Sequence, residues 1–252
     1  MAKLIFLGTS NAISDENHEN THMVVVGERN SVLIDCPNSP LQRFEKANVD
    51  VKKLGDLIVT HFHPDHVSGV PQLLMNMWLM GRVEPLRIHG LQHTVDRIEN
   101  MMGLYGWKEW PGFFPVTFFR LRGRAMVSVL DCEEFQIFAT PVQHFIPTIG
   151  LRVEFRGSNK VFAYSCDTEP CAQVTQLAEG ADVLVHESSG ALPGHSSAAQ
   201  AGETARQAEV GALYLIHYPT GQFAAGDPVA EARGQFEGPV MLAQDFMAID
   251  FG

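Results

Sequence analysis

The sequence predicts an α/β protein: a four-layer αββα sandwich, two sheets face to face with helices on both outer sides. Three observations predict it. Short runs rich in Val, Ile, Leu and Phe, bounded by Gly, Pro, Asn or Asp, recur along all 252 residues. Helical stretches fall between some of these runs. The order, strands first and then strand alternating with helix, occurs twice, so residues 1 to about 120 and 121 to 252 read as two similar halves of one domain.

The elements follow in order. Lys3–Leu7 reads as a first strand, because the apolar part of Met1–Gly8 is too short for a signal peptide. Met23–Val26, Ser31–Asp35 and Leu57–Thr60 are the next strands, with a helix at Pro40–Ala47 whose Leu41, Phe44 and Ala47 share a face. Gly69–Met80 is a helix apolar on several sides, and Gln92–Met102 is another. Strands are expected at Leu86–His89, Val116–Arg120, Met126–Leu130, Phe135–Ala139, Gly150–Phe155, Lys160–Tyr164, Asp182–His186, Ala212–His217 and Val240–Leu242. The remaining helices are Ala172–Ala178 and Ser197–Glu209. In the second, Ser196 or Ser197 caps, and Ala198, Ala201, Ala205 and Ala208 make a stripe for close packing.

Composition narrows the function. Hydrophobic residues are 45% and charged residues 19%, as in ordinary globular proteins. No apolar run is long enough to span a bilayer, so no membrane association and a cytoplasmic location are expected. The net charge is −11, with 29 acidic against 18 basic residues, which disfavours long nucleic acid as a partner. Cys36, Cys132, Cys166 and Cys171 form no C-x-x-C pair and read as reduced, mostly buried thiols.

The chemistry concentrates in Thr60-His61-Phe62-His63-Pro64-Asp65-His66. A strand runs into a loop carrying three histidines and an aspartate. His61 and His63 are two apart and point the same way in extended chain. Pro64 starts a turn or helix that redirects Asp65 and His66, so one loop can serve two adjacent cations. Imidazole and carboxylate suit zinc, with manganese or iron as alternatives. Further candidates stand at strand ends: His144, Asp167 and His217.

These features together resemble the metallo-β-lactamase superfamily, in the branch of ribonuclease Z and its phosphodiesterase relatives. The resemblance covers nearly the whole chain. It runs from Phe6-Leu7-Gly8-Thr9-Ser10 and Leu33-Ile34-Asp35-Cys36 through the His61–His66 motif and Ser165-Cys166-Asp167-Thr168. It continues to His186-Glu187, Gly194-His195-Ser196 and Ile216-His217-Tyr218. It implies the metallo-β-lactamase fold and two divalent metal ions. His61, His63 and His144 would hold one and Asp65, His66 and His217 the other, with Asp167 bridging. The nucleophile would be a hydroxide between the metals, oriented by Asp65 or deprotonated by it. His195 would act as general acid or charge stabiliser, oriented by Glu187.

One departure matters. Ribonuclease Z usually carries a long tRNA-gripping insertion between the residues matching His144 and Asp167, and here only strands fill that span. The expectation is therefore a phosphodiesterase for a small phosphodiester, with hydrolysis of a lactone, thioester or β-lactam as the alternative. tRNA 3′-end cleavage and a non-catalytic binding role rank lower. Met101 to Phe119, rich in Trp and Phe among Gly and Pro, reads as core, as an apolar wall over the metals, or as a subunit contact that would make a homodimer. His18, His22, His89 and His93 read as surface or structural, His22 being the nearest to the site.

Overall fold

The computed structural model describes residues 2–252. In the first half, β1 (Lys3–Gly8), β2 (His22–Val26), β3 (Ser31–Ile34), α1 (Pro40–Lys46) and β4 (Leu54–Ile58) are followed by α2 (Pro64–Val67) and α3 (Val70–Leu79). Next come β5 (Leu86–Leu91), α4 (Gln92–Leu104) and β6 (Val116–Leu121). The second half contains β7 (Val127–Asp131), β8 (Phe135–Val142), β9 (Thr148–Phe155), β10 (Val161–Tyr164), α5 (Ala172–Ala178) and β11 (Val183–Glu187). It ends with α6 (Ala198–Gln207), β12 (Ala212–Ile216), α7 (Pro228–Arg233), β13 (Val240–Leu242) and β14 (Ala248–Asp250).

Two seven-stranded sheets result, ordered β14-β1-β2-β3-β4-β5-β6 and β13-β12-β11-β10-β9-β8-β7. Each begins as an antiparallel meander, β1 to β3 and β7 to β10, and continues as parallel strands. One strand leaves the half-by-half division: β14 returns to pair antiparallel with β1.

Side-chain alternation builds the layers. Along β1, Leu4 and Phe6 enter the core between the sheets, while Ile5 and Leu7 enter the core under the first sheet's helices. The inter-sheet core joins Met23, Val25 and Ile34 to Ile137, Leu151, Val153, Phe162 and Val185. Beneath the second sheet's helices, Ala198, Ala201, Ala205 and Ala208 of α6 are buried as the stripe predicted, with Leu184, Leu213 and Leu215. Ser197 caps this helix by a reciprocal exchange with Gln200. At Gly202 a Cβ would lie 2.4 Å from the Ala232 carbonyl, so glycine admits α7. No helix among the described residues is long and apolar enough to cross a membrane.

Two expectations are corrected and one open reading is narrowed. The strand before the histidine loop begins at Leu54 rather than Leu57, because Asp56 is buried in a network with Arg87 and His89. Of the four thiols, Cys36 and Cys166 are buried, while Cys132 and Cys171 are half-buried. Of the three readings of the aromatic segment, the core one fits its tryptophans and Phe114, while Leu104, Tyr105 and Phe119 are exposed. Trp107 and Phe114 are buried with α3 and α4 on the outer side of the first sheet, and Trp110 stacks on Trp78 with ring centroids 5.1 Å apart. A turn at Gly106, with φ 61°, sends the chain back over this helical layer.

Candidate metal centre

Every residue expected at the site lies at or just beyond the C-terminal end of a strand. β4 leads to His61, His63, Asp65 and His66; β8 to His144; β10 to Asp167; and β12 to His217. The proximity of their side chains shows that these strand ends meet at one edge of the sandwich. Glu187 closes β11, and His195 stands in the loop before α6.

Two donor sets form. In the first, His61 Nε2 lies 3.0 Å from His63 Nδ1, which lies 3.2 Å from His144 Nε2. Burial, the largest influence on each, holds all three rings below the ordinary histidine pKa, so they present lone pairs. In the second set, His66 Nε2 and His217 Nε2 are each 3.5 Å from Asp65 Oδ2. Asp167 Oδ2 lies between the sets, 3.9 Å from His61 Nε2, 3.5 Å from His66 Nε2 and 3.3 Å from His217 Nε2. Burial pushes the Asp167 carboxyl up, but His217 and His66 hold it well below the usual carboxylate range.

The sequence reading missed the groups that aim these donors. Asp35, just beyond β3, accepts from His66 Nδ1 at 2.8 Å and from the Thr60 backbone N and hydroxyl. His144 Nδ1 donates to the Gly194 carbonyl at 2.7 Å. Ser189 Oγ accepts from His217 Nδ1 at 2.7 Å while donating to the His217 carbonyl. Each contact fixes the tautomer that turns Nε2 inward. Asp35, Cys166 and His217 all adopt left-handed backbone, φ 61°, 55° and 53°, a conformation costly for such residues and concentrated at functional sites.

The donor set fits a pair of divalent cations. His66 Nε2, His217 Nε2 and Asp167 Oδ1 are buried without a hydrogen-bond partner among the described residues. An orphaned buried polar group costs about 1–3 kcal/mol, so three of them within one donor set fit groups that would ligate a cation. His61, His63 and His144 bring ligand atoms within 4.8 Å of one another, as do Asp65, His66, Asp167 and His217.

His195 and Glu187 stand beside this centre. His195 Nδ1 is 2.9 Å from Glu187 Oε1, and a His195 ring nitrogen lies within 4.8 Å of donors on His144 and Asp167. Burial works against charging His195, but Glu187, with Asp167 and Asp65, outweighs it and raises the pKa. The Glu187 carboxylate also accepts from the backbone N of Thr168, Ser189 and Ser196, tying the loop that carries Asp167 to the one that carries Ser189 and His195. A cleft of about 470 Å³ adjoins the centre beside Ser189 and Tyr218.

Three of the histidines outside the centre have clear partners. His22 is buried and donates Nδ1–H to the Asn20 carbonyl; burial lowers its pKa to about 3. His18 pairs with Asp15 and His89 with Asp56.

The profile of the family described as anti-Pycsar protein Apyc1 matches residues 2–224. Ribonuclease Z of Mycolicibacterium gilvum is 32% identical, covering 97% of this chain and 94% of its own. Among solved structures, the metallo-β-lactamase fold protein YhfI of Bacillus subtilis superposes with TM-score 0.83 at 20% identity, over 98% of both chains. The short form of human tRNase Z gives 0.80 at 23% identity, over 99% of both chains. A diphosphatase of the PhnP family gives 0.75 at 18% identity, over 100% of this chain and 98% of its own.

Proposed function

Because this chain belongs to the anti-Pycsar protein Apyc1 family, in the ribonuclease Z-like branch of the metallo-β-lactamase superfamily, we propose that it is a two-metal phosphodiesterase acting on a small phosphodiester. The observation that carries the reading is the place of Asp167 Oδ2, within 3.9 Å of ring nitrogens from both donor sets. Its carboxylate would be shared, with His61, His63 and His144 on one side and Asp65, His66 and His217 on the other. The cations, zinc by preference for this donor set, would supply Lewis acidity: they make water acidic enough to attack at neutral pH and neutralise phosphoryl charge.

The chain's own groups supply the rest. Asp65 reaches the centre from the first turn of α2, where its carboxylate can orient the attacking water and take its proton. His195, its Nδ1–H held by Glu187, has Nε2 left to protonate the departing oxygen. Glu187 is a positioning residue: fully buried, it fixes the ring and favours its charged form.

A small substrate is favoured over structured RNA. The span from His144 to Asp167 holds only β9, β10 and their turns. The alignment with the mycobacterial-type ribonuclease Z runs over 274 positions, longer than this chain, so that relative carries segments missing here. A net charge of −11 forgoes most of the counterion release that drives polyanion binding. The test is a side-by-side assay of zinc-loaded protein on an aryl phosphodiester, a lactone and precursor tRNA in one buffer. The aryl phosphodiester is expected to be turned over fastest. Efficient site-specific trimming of the tRNA, or faster opening of the lactone, would overturn the proposal.

A further inference from the structure

We propose that Phe145 is a specificity-determining residue: a platform on which a flat aromatic or heterocyclic ring of the leaving group stacks. The inference deepens the phosphodiesterase reading and rests on it for the identity of the leaving group.

Phe145 follows His144 directly and is 64% exposed, an unusual placement for so large an apolar side chain. Leu192, whose carbonyl accepts from the His195 backbone N at 3.0 Å, is a second exposed apolar side chain, at 61%. The Phe145 ring is seated beside the groups that would do the chemistry. Its centroid is 5.1 Å from the His144 ring and 6.3 Å from the His195 ring, the latter at 74°.

The seat is built. Gly194 lies against the ring, and a Cβ there would come within 2.6–2.9 Å of three ring carbons. Gly194 also has φ +77°, accepts from His144 Nδ1 and donates its N–H to Glu169 Oε1 at 2.8 Å. The backbone that orients a metal ligand therefore also supports the Phe145 ring, leaving the rest of that ring open to solvent. The substituent on an oxygen that His195 protonates would have this ring within reach, 6.3 Å from the His195 ring. A planar substituent can stack there, and its face need carry no particular hydrogen-bonding pattern.

This assignment replaces Trp107 and Trp110, which lie in the outer core, as the aromatic part of the site. It also gives Phe145 a role that packing does not require, since the residue contributes little buried surface.

The test uses zinc-loaded protein in two arms. In the kinetic arm, methyl p-nitrophenyl phosphate is the substrate. Phe145→Ala is expected to raise KM about tenfold or more (~1.4 kcal/mol at 25 °C) with kcat within about twofold, while Phe145→Tyr and Phe145→Trp keep wild-type values. In the binding arm, phenylphosphonate should bind wild-type protein about tenfold or more tighter than methylphosphonate, and Phe145→Ala should erase the difference. Unchanged KM in Phe145→Ala, or a phenyl preference that survives it, overturns the proposal. If no phosphodiester is turned over but the phenyl preference exists and is lost in Phe145→Ala, the platform stands and the phosphodiesterase reading fails.

Discussion

Asp167→Ala is expected to abolish the centre rather than weaken it. The residue faces both donor sets, and its Oδ2 lies within 3.9 Å of His61, His66 and His217 nitrogens. Without its charge, two cations would face each other across neutral imidazoles with only Asp65 to balance them. Zinc content should fall from about two per chain to one or less, and turnover of an aryl phosphodiester by about 10³-fold or more. That magnitude follows from several kcal/mol of Lewis-acid stabilisation at about 1.4 kcal/mol per decade of rate. Asp167→Asn, nearly isosteric, separates loss of charge from loss of volume and should behave alike. A variant that keeps two zinc ions and more than a tenth of the activity would show that Asp167 does not bridge.

His195→Ala should cost about 10²–10⁴-fold in kcat while zinc content stays near wild type, the range typical of a positioned general acid. The geometry adds a sharper expectation. Glu187 Oε1 holds His195 Nδ1 at 2.9 Å, and His195 groups with Asp167 and His144 and, separately, with His217 within 4.8 Å. If the ring donates a proton to the departing oxygen, the deficit must shrink as the leaving group improves, because a stable anion needs no proton. A phenyl ester should therefore suffer more than a p-nitrophenyl ester. An equal loss on both would remove the proton-donor role, and loss of zinc would recast His195 as a ligand.

The four-layer architecture was legible because period-two alternation survives in strands such as Lys3–Gly8, whose two faces feed different cores. The donor-rich loop was legible because strong donors two residues apart after an apolar strand leave few other readings, and the structure gathers those donors with His144, Asp167 and His217. What escaped did so for definite reasons. β14 is three residues, Ala248-Ile249-Asp250, too short to show a period. α7 carried a start signal in Asp227 and Pro228, but its six residues show no apolar face. Asp35 is one aspartate after a strand, and only its contacts with His66 and Thr60 reveal what it does. The Gly194 carbonyl beneath His144 is backbone and leaves no trace in residue type. The tryptophans misled because an apolar residue in a Gly/Pro-rich stretch announces burial without saying under which layer. Phe145 escaped for the opposite reason: next to a ligand histidine, its exposure cannot be read from sequence.

The most direct test of the two-cation centre is a zinc titration of chelator-stripped protein, read as hydrolysis of an aryl phosphodiester against equivalents of zinc added. Activity should rise to a plateau at two zinc ions per chain, with little before the second begins to bind. A plateau at one equivalent, or no hydrolysis at any zinc level in protein that remains folded, would contradict the account.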